Sequence, residues 1–146
     1  LIIVGSGPQK ESIELLIHQL QLEDKVLLTG YQPDPAIFYK AMDLMVLPSY
    51  LGEATSQVLP QAMLMGRPVI STDAGGLSEV VIHNQTGLIV PIKNSHAIYK
   101  AIKVIYEDLG LRKKLIKNGK EHALNFFTFD QMINTTESVY KEVIGR

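Results

Sequence analysis

The chain has 146 residues, of which 46% are hydrophobic and 20% charged, enough apolar material for one ordinary folded domain and too much for a disordered or low-complexity segment. Fourteen Lys and Arg against fifteen Asp and Glu give a net charge of −1, so the broad cationic surface that drives general nucleic-acid or anionic-lipid binding is not expected, although a small local anion site remains open. Cysteine is absent, which excludes disulfides, thiolate metal sites and cysteine nucleophiles, and no apolar run approaches the length of a membrane span.

In chain order, Leu1-Ile2-Ile3-Val4 reads as a buried strand entering the turn Gly5-Ser6-Gly7-Pro8. Opening on strand interior, with no initiator Met or leader, suggests a fragment of a longer protein. Leu15, Leu16, Leu20 and Leu22 predict an amphipathic helix over residues 9–21. A strand follows at 26–28, closed by Gly30, then a short helix over 36–42 and a strand at 44–47 stopped by Pro48-Ser49. A helix over 56–65 ends at Gly66-Arg67-Pro68; strands are expected at 69–71 and 87–90, with the turn at Gly75-Gly76 between them. Ala97, Ile98, Ala101, Ile102 and Ile105 form a helical stripe, and two further helices are expected over 111–124 and 129–143. Short apolar strands separated by helices indicate an α/β, doubly wound parallel sheet, and the lack of repeats or linkers suggests one domain, 1–146.

Ligands of open parallel sheets bind beyond the carboxyl ends of the strands, which directs attention to the loops after Val4, Leu28, Leu47, Ile70 and Val90. Gly5-Ser6-Gly7-Pro8 fails as a dinucleotide fingerprint, because Lys10 stands at the third glycine position and Pro8 removes an amide; a strand-to-helix turn with Pro near the first helical position fits better. In segment 48–63, Glu53 falls at a strand's carboxyl end just before a helix that Thr55 or Ser56 could cap, with amides aimed at the crevice in the manner of a phosphate site; Gln61 lies eight residues further on. Glu53 as a solvated loop acid and Gln61 as an exposed helix residue is the competing reading. Asp73-Ala74-Gly75-Gly76-Leu77-Ser78-Glu79 is either a place where backbone comes close to a ligand or an ordinary glycine turn with Glu79 beginning a short helix. His18, His83, His96 and His122 have no metal-ligand spacing, and only His83 falls marginally within a crevice loop.

These segments, taken in order, resemble the C-terminal half of family-four retaining glycosyltransferases. The resemblance runs through the strand before Gly5-Ser6-Gly7-Pro8, Val26-Leu27-Leu28-Thr29-Gly30, residues 42–49, Glu53 through Gln61 to Ile70, 73–79, 86–91 and the closing Phe-Thr-Phe helix, essentially the whole chain. It implies the Rossmann-like C-terminal half of a GT-B architecture, whose donor domain faces a separate acceptor domain across a cleft. It further implies that Glu53, the first acid of an E-x7-E motif, hydrogen-bonds donor-sugar hydroxyls and is the catalytic-site acid. The backbone amides of Thr55, Ser56 and Gln57 would hold sugar and diphosphate, Tyr31, Gln32 and Asp34 would border the base, and Gly75 and Gly76 would line the donor. The implied chemistry is retaining and metal-independent, with no cofactor beyond the nucleotide-sugar substrate, an acceptor that is a glycan, lipid or small molecule, and no nucleic acid.

Two departures from the family pattern stand out. Gln61 replaces the acid that accepts from the nucleotide ribose hydroxyls, keeping one acceptor oxygen and gaining two donors. Residues 54–56 read Ala-Thr-Ser where Gly-Phe-Gly is common, predicting a less aromatic sugar pocket. The family's first strand and helix, with its diphosphate-binding Arg and Lys, would precede Leu1, as would the acceptor domain. In the expected 3-2-1-4-5-6 order that strand would lie between the strands at Leu1 and Leu44, so the chain alone is expected to be inactive and to expose apolar sheet edge unless those strands pair directly. Family habit suggests a cytoplasmic enzyme attached peripherally to the inner membrane face through the missing domain. The leading expectation is therefore a glycosyltransferase donor domain; a non-catalytic nucleotide-sugar-binding paralogue, favoured by Gln61, and a nucleotide-sugar epimerase, disfavoured by the scattered histidines, are the alternatives.

Overall fold

The computed structural model describes every residue except Gly52 and Arg146. The chain divides into two compact units, Leu1–Phe38 and Tyr39–Arg146.

In the first unit, strand β1 (Ile2–Val4) lies parallel to β2 (Leu27–Gly30), with helix α1 (Lys10–Gln19) as the crossover. Parallel neighbours demand such a crossover because a tight turn cannot reverse the chain twice. The register steps between Ile3 and Val4, where Gly5, at φ +127°, donates its amide to the Gly30 carbonyl at 2.9 Å. Pro8 stands two residues ahead of α1 and not at its first position; Gln9 flanks the helix without a side-chain cap. The leucine stripe read from the sequence is present, yet Leu15, Leu16 and Leu20 are more than half exposed, and none of the described residues of this unit is buried. Helix α2 (Ala36–Ala41) begins at the end of this unit.

The second unit holds the core. Strands β3 (Met45–Leu47), β4 (Val69–Thr72) and β5 (Leu88–Val90) form a parallel sheet in the order β3-β4-β5. Central β4 is buried along its whole length. Val69 packs with Leu59, Met63, Leu77, Val80 and Ala123, whereas Ile70 packs with Leu88, Ala101, Ile105 and Leu115. Successive strand residues thus bury on opposite faces, and each face carries helices: this is the doubly wound arrangement. Each of the buried Val, Leu, Ile and Met side chains contributes about 1.5–3 kcal/mol by leaving water. The first unit thus carries the two-stranded sheet β1-β2 and the second the three-stranded sheet β3-β4-β5. Each has the internal order expected of its part of a 3-2-1-4-5-6 sheet.

The helices of this unit are α3 (Val58–Leu64), α4 (Leu77–Val80), α5 (Ser95–Glu107), α6 (Leu109–Phe126) and α7 (Phe129–Ile144). α3 stops where the sequence predicts: Gly66 adopts φ +69°, its amide donates to Met63 O and that of Arg67 to Ala62 O, a Schellman end followed by Pro68. Asn94, Asp108 and Thr128 cap α5, α6 and α7 by accepting from Ala97 N, Leu111 N and Gln131 N. Asp108 also ends α5, so a single residue breaks one helical stretch into two. α6 crosses α3 closely because position 119 is glycine; a Cβ there would meet Thr86 O at 3.0 Å and Met63 Cγ at 3.3 Å. α7 has no buried residue. Among the described residues no helix is long and apolar enough to cross a membrane.

Candidate functional site

Parallel pairing brings the carboxyl ends of β3, β4 and β5 to one edge of the sheet, with Leu47 opposite Ser71 and Thr72 opposite Val90. Three loops leave from that edge, and their polar groups interlock. Thr72, the last residue of β4, donates its hydroxyl to the Ser49 carbonyl. Ser49 in turn donates its hydroxyl to Glu53 Oε2 at 2.9 Å. Asp73 Oδ1 accepts from the Ile92 amide at 3.0 Å, tying the ends of β4 and β5. The Glu53 side chain is half-buried, and no ion pair reaches it among the described residues. A carboxylate so held, with acceptor capacity beyond one serine bond, is suited to receive hydroxyl groups of a polyol.

The paired glycines explain how the Glu53 loop is fixed. Gly75 has φ +53°, and a Cβ on it would stand 2.1 Å from the Glu53 carbonyl oxygen. Gly76 donates its amide to that oxygen at 2.9 Å. The close backbone approach for which glycine is needed here is therefore made to the chain itself, at Glu53 and Ala54. Glu79 lies inside α4 and is exposed.

Thr55 and Ser56 do not cap α3. The helix starts at Val58, with Gln57 as its flanking residue, already in the αR region and making no side-chain cap bond. The first intrahelical bond is Gln61 N to Gln57 O at 3.2 Å, so Pro60 falls among positions whose amides have no helical partner and costs the helix nothing. The amides of Thr55 and Ser56 belong to the loop. Gln61 sits one turn into α3, and its Oε1 accepts the Tyr39 hydroxyl at 2.9 Å. Tyr39 is buried, its backbone carbonyl accepts Arg67 Nε at 2.9 Å, and burial raises its phenol pKa, which keeps the hydroxyl a donor. One lone pair of the Gln61 oxygen is thereby engaged, leaving the second lone pair and the NH2 group for a ligand.

A shallow concavity of about 330 Å³ is lined by Pro48, Ser49, Tyr50, Leu51 and Glu53. That is at the small end for ligand sites, the size of a monosaccharide and not of a whole nucleotide sugar. Lys93, at φ +54°, sets its ammonium 5.2 Å from the centroid of the Tyr50 ring. Tyr31, Gln32 and Asp34 belong to the first unit: Tyr31 is exposed, Gln32 Nε2 donates to Thr29 O at 3.0 Å, and Asp34 Oδ1 caps α2 by accepting from Ala36 N at 2.9 Å. His83 lies before β5, at the amino end of the strand and away from the crevice edge, with Nδ1 accepting from Ile89 N. No cluster of three or more potential metal ligands occurs among the described residues.

The sequence reading missed Ser49, Thr72 and Tyr39 as supports of the site. Thr72 follows another polar residue, Ser71, at the end of β4 and so does not stand out, and the Tyr39–Gln61 pairing spans separate helices and leaves no local pattern.

Residues 1–122 match the sequence signature of the family described as glycosyl transferases group 1, and the chain belongs to that family. An uncharacterised glycosyltransferase of Methanocaldococcus jannaschii is 32% identical over the whole chain. The fold agrees with that of a sucrose-phosphate synthase from Thermosynechococcus elongatus (TM-score 0.86, 34% identity, 99% of this chain and 38% of that one). It also agrees with Anabaena HepE, solved in complex with UDP-glucose (TM-score 0.84, 28% identity, 94% of this chain and 40% of that one). The chain spans 38% of the length of the M. jannaschii protein. These likenesses identify the fold as the Rossmann-like C-terminal domain of a GT-B glycosyltransferase.

Proposed function

We propose that this chain is the donor-binding part of a retaining, metal-independent glycosyltransferase that moves a hexose-type sugar from a nucleotide diphosphate to a glycan, lipid or small-molecule acceptor at the cytoplasmic side of the cell. The observation that carries the reading is Glu53, fixed at the carboxyl end of β3 by the Ser49 hydroxyl and by the Gly75-Gly76 backbone. In this reading Glu53 accepts from sugar hydroxyls over the concavity, and the amides of Thr55, Ser56 and Gln57 donate to sugar and diphosphate oxygens. Tyr31, Gln32 and Asp34 border the base, and Gly75 and Gly76 act through the Glu53 loop they hold. The resemblance to a protein solved with UDP-glucose supports a nucleotide-sugar donor.

When the C1–O bond to the diphosphate breaks, negative charge grows on the leaving group and must be met by cations and amides already in position. The family's Arg and Lys for that task lie outside this chain in this reading, as does the acceptor domain. No cofactor is required. Gln61 differs from the acid it replaces in charge and in carrying two donors: its Oε1 accepts from Tyr39 and keeps a second lone pair, with which it accepts from a ribose hydroxyl as the acid would. The same departure favours a second reading, a nucleotide-sugar-binding protein that does not transfer.

Turnover of the intact protein separates the two. With a panel of nucleotide sugars and an acceptor mixture, release of nucleoside diphosphate that falls about 10–100-fold in Glu53→Gln, the loss of a charge-assisted hydrogen bond, supports transfer. Tight donor binding with no release in either protein supports the binding-only reading.

A further inference from the structure

The chain's cations are unevenly placed. Arg112, Lys113, Lys114, Lys117 and Lys120 fall on α6 with no acid among residues 109–120, while the rest of the chain carries nine Lys and Arg against fifteen Asp and Glu. None of the five is in an ion pair among the described residues. At 100° per residue, Leu109, Lys113, Lys117, Lys120 and Leu124 share an arc of about 80° along about 22 Å of helix. All five are exposed, the two leucines by 55% and 49%. The same helix buries Leu115, Gly119 and Ala123 on another side, so the stripe is held outward by core packing. A near-neutral net charge hides this local reversal of sign.

We propose that this stripe of α6 docks on an anionic lipid bilayer, with Lys113, Lys117 and Lys120 at the headgroups and Leu109 and Leu124 inserted at either end. Lysines flanked by exposed apolar residues on one face of a helix lying flat match the two attractions an anionic interface offers, charge and shallow apolar burial. A nucleic acid shares the charge term only; no aromatic residue interleaves the lysines between 109 and 124, and the leucines would stay wet against a phosphate backbone. The inference does not depend on the nucleotide-sugar reading. It gives this part of the protein its own membrane contact, distinct from any made by a further domain.

The test is co-sedimentation of the intact protein with vesicles of phosphatidylcholine alone and of phosphatidylcholine with about a third phosphatidylglycerol, at low and raised salt. The expected result is binding to the anionic vesicles that weakens with salt. Each lysine contributes about fivefold to partitioning, so Lys113→Gln/Lys117→Gln/Lys120→Gln should lower it roughly 100-fold. The control Lys10→Gln/Lys25→Gln/Lys40→Gln makes the same change in net charge elsewhere and should bind as the parent does. Equal partitioning of the two triple variants, equal binding to neutral vesicles, no vesicle binding, or tighter binding to a short RNA duplex than to anionic vesicles would each overturn the proposal.

Discussion

Replacing Gly75 with alanine probes the support of Glu53 without touching its carboxylate. The new methyl would lie 2.1 Å from the Glu53 carbonyl oxygen and 3.0 Å from its nitrogen, far inside contact distance, so the Glu53 loop must move. The left-handed backbone at φ +53° costs an L-residue about 1–2 kcal/mol. Loss of the 2.9 Å bond from Gly76 N to Glu53 O adds about 0.5–1.5 kcal/mol. A total of about 1.5–3.5 kcal/mol corresponds to a fall in Tm on the order of 5–14 °C. If Glu53 moves by about 1 Å, turnover should drop about 100-fold. Thermal unfolding and initial-rate assays of the intact protein read both effects. Gly7→Ala is the control: open space surrounds its Cβ position, and its effect should stay within about 0.5 kcal/mol. A Gly75→Ala protein with parental Tm and turnover would refute the reasoning that Gly75 fixes the site.

Other substitutions test separate parts of the account. Gln61→Glu should leave nucleotide affinity equal or tighter in a calorimetric titration, since Tyr39 can donate to a carboxylate as well as to an amide; a large loss would mean that the Gln61 NH2 makes the important contact. Asp108→Ala removes the cap of α6 and should lower stability by about 1 kcal/mol in urea unfolding, with no change meaning that the Leu111 amide finds water as readily. Gly119→Ala should cost about 1–3 kcal/mol by forcing α6 away from Met63 and Thr86. Tyr39 supplies a pH dependence. Its folded pKa is raised by burial, so its neutral form favours the folded state below the unfolded value near 10 and that contribution is lost as pH rises through the folded value. Alkaline unfolding should therefore be less steep in Tyr39→Phe; identical alkaline limbs would remove Tyr39 as its cause.

Much of the second unit is legible in the sequence because its elements obey simple periodicities. The short run Val69-Ile70-Ser71, opening on two β-branched residues and set between Pro68 and Gly75-Gly76, reads as a strand, and Gly66-Arg67-Pro68 reads as a helix end. Pattern alone says less about the first unit, where the leucine stripe of α1 looks like a core face but lies exposed. Periodicity reports which side of a helix is apolar and nothing about what covers it. At the site, Glu53 is legible from its place after a strand, whereas the αR backbone of Gln57 that moves the start of α3 past Thr55 and Ser56 is not. Gly75-Gly76 signals close backbone approach in the sequence, but the partner in that approach, the Glu53 backbone, is set by parallel pairing of β3 and β4. The α6 stripe escaped composition altogether, since opposite charges elsewhere cancel it in the sum.

The most direct test of the central claim is calorimetric titration of the intact protein, parent and Glu53→Gln, with UDP, GDP, ADP and their sugars. The account predicts selective binding of one base, with the affinity for the nucleotide sugar, but not for the nucleoside diphosphate alone, reduced by Glu53→Gln. Failure of the parent to bind any nucleotide or nucleotide sugar would contradict it.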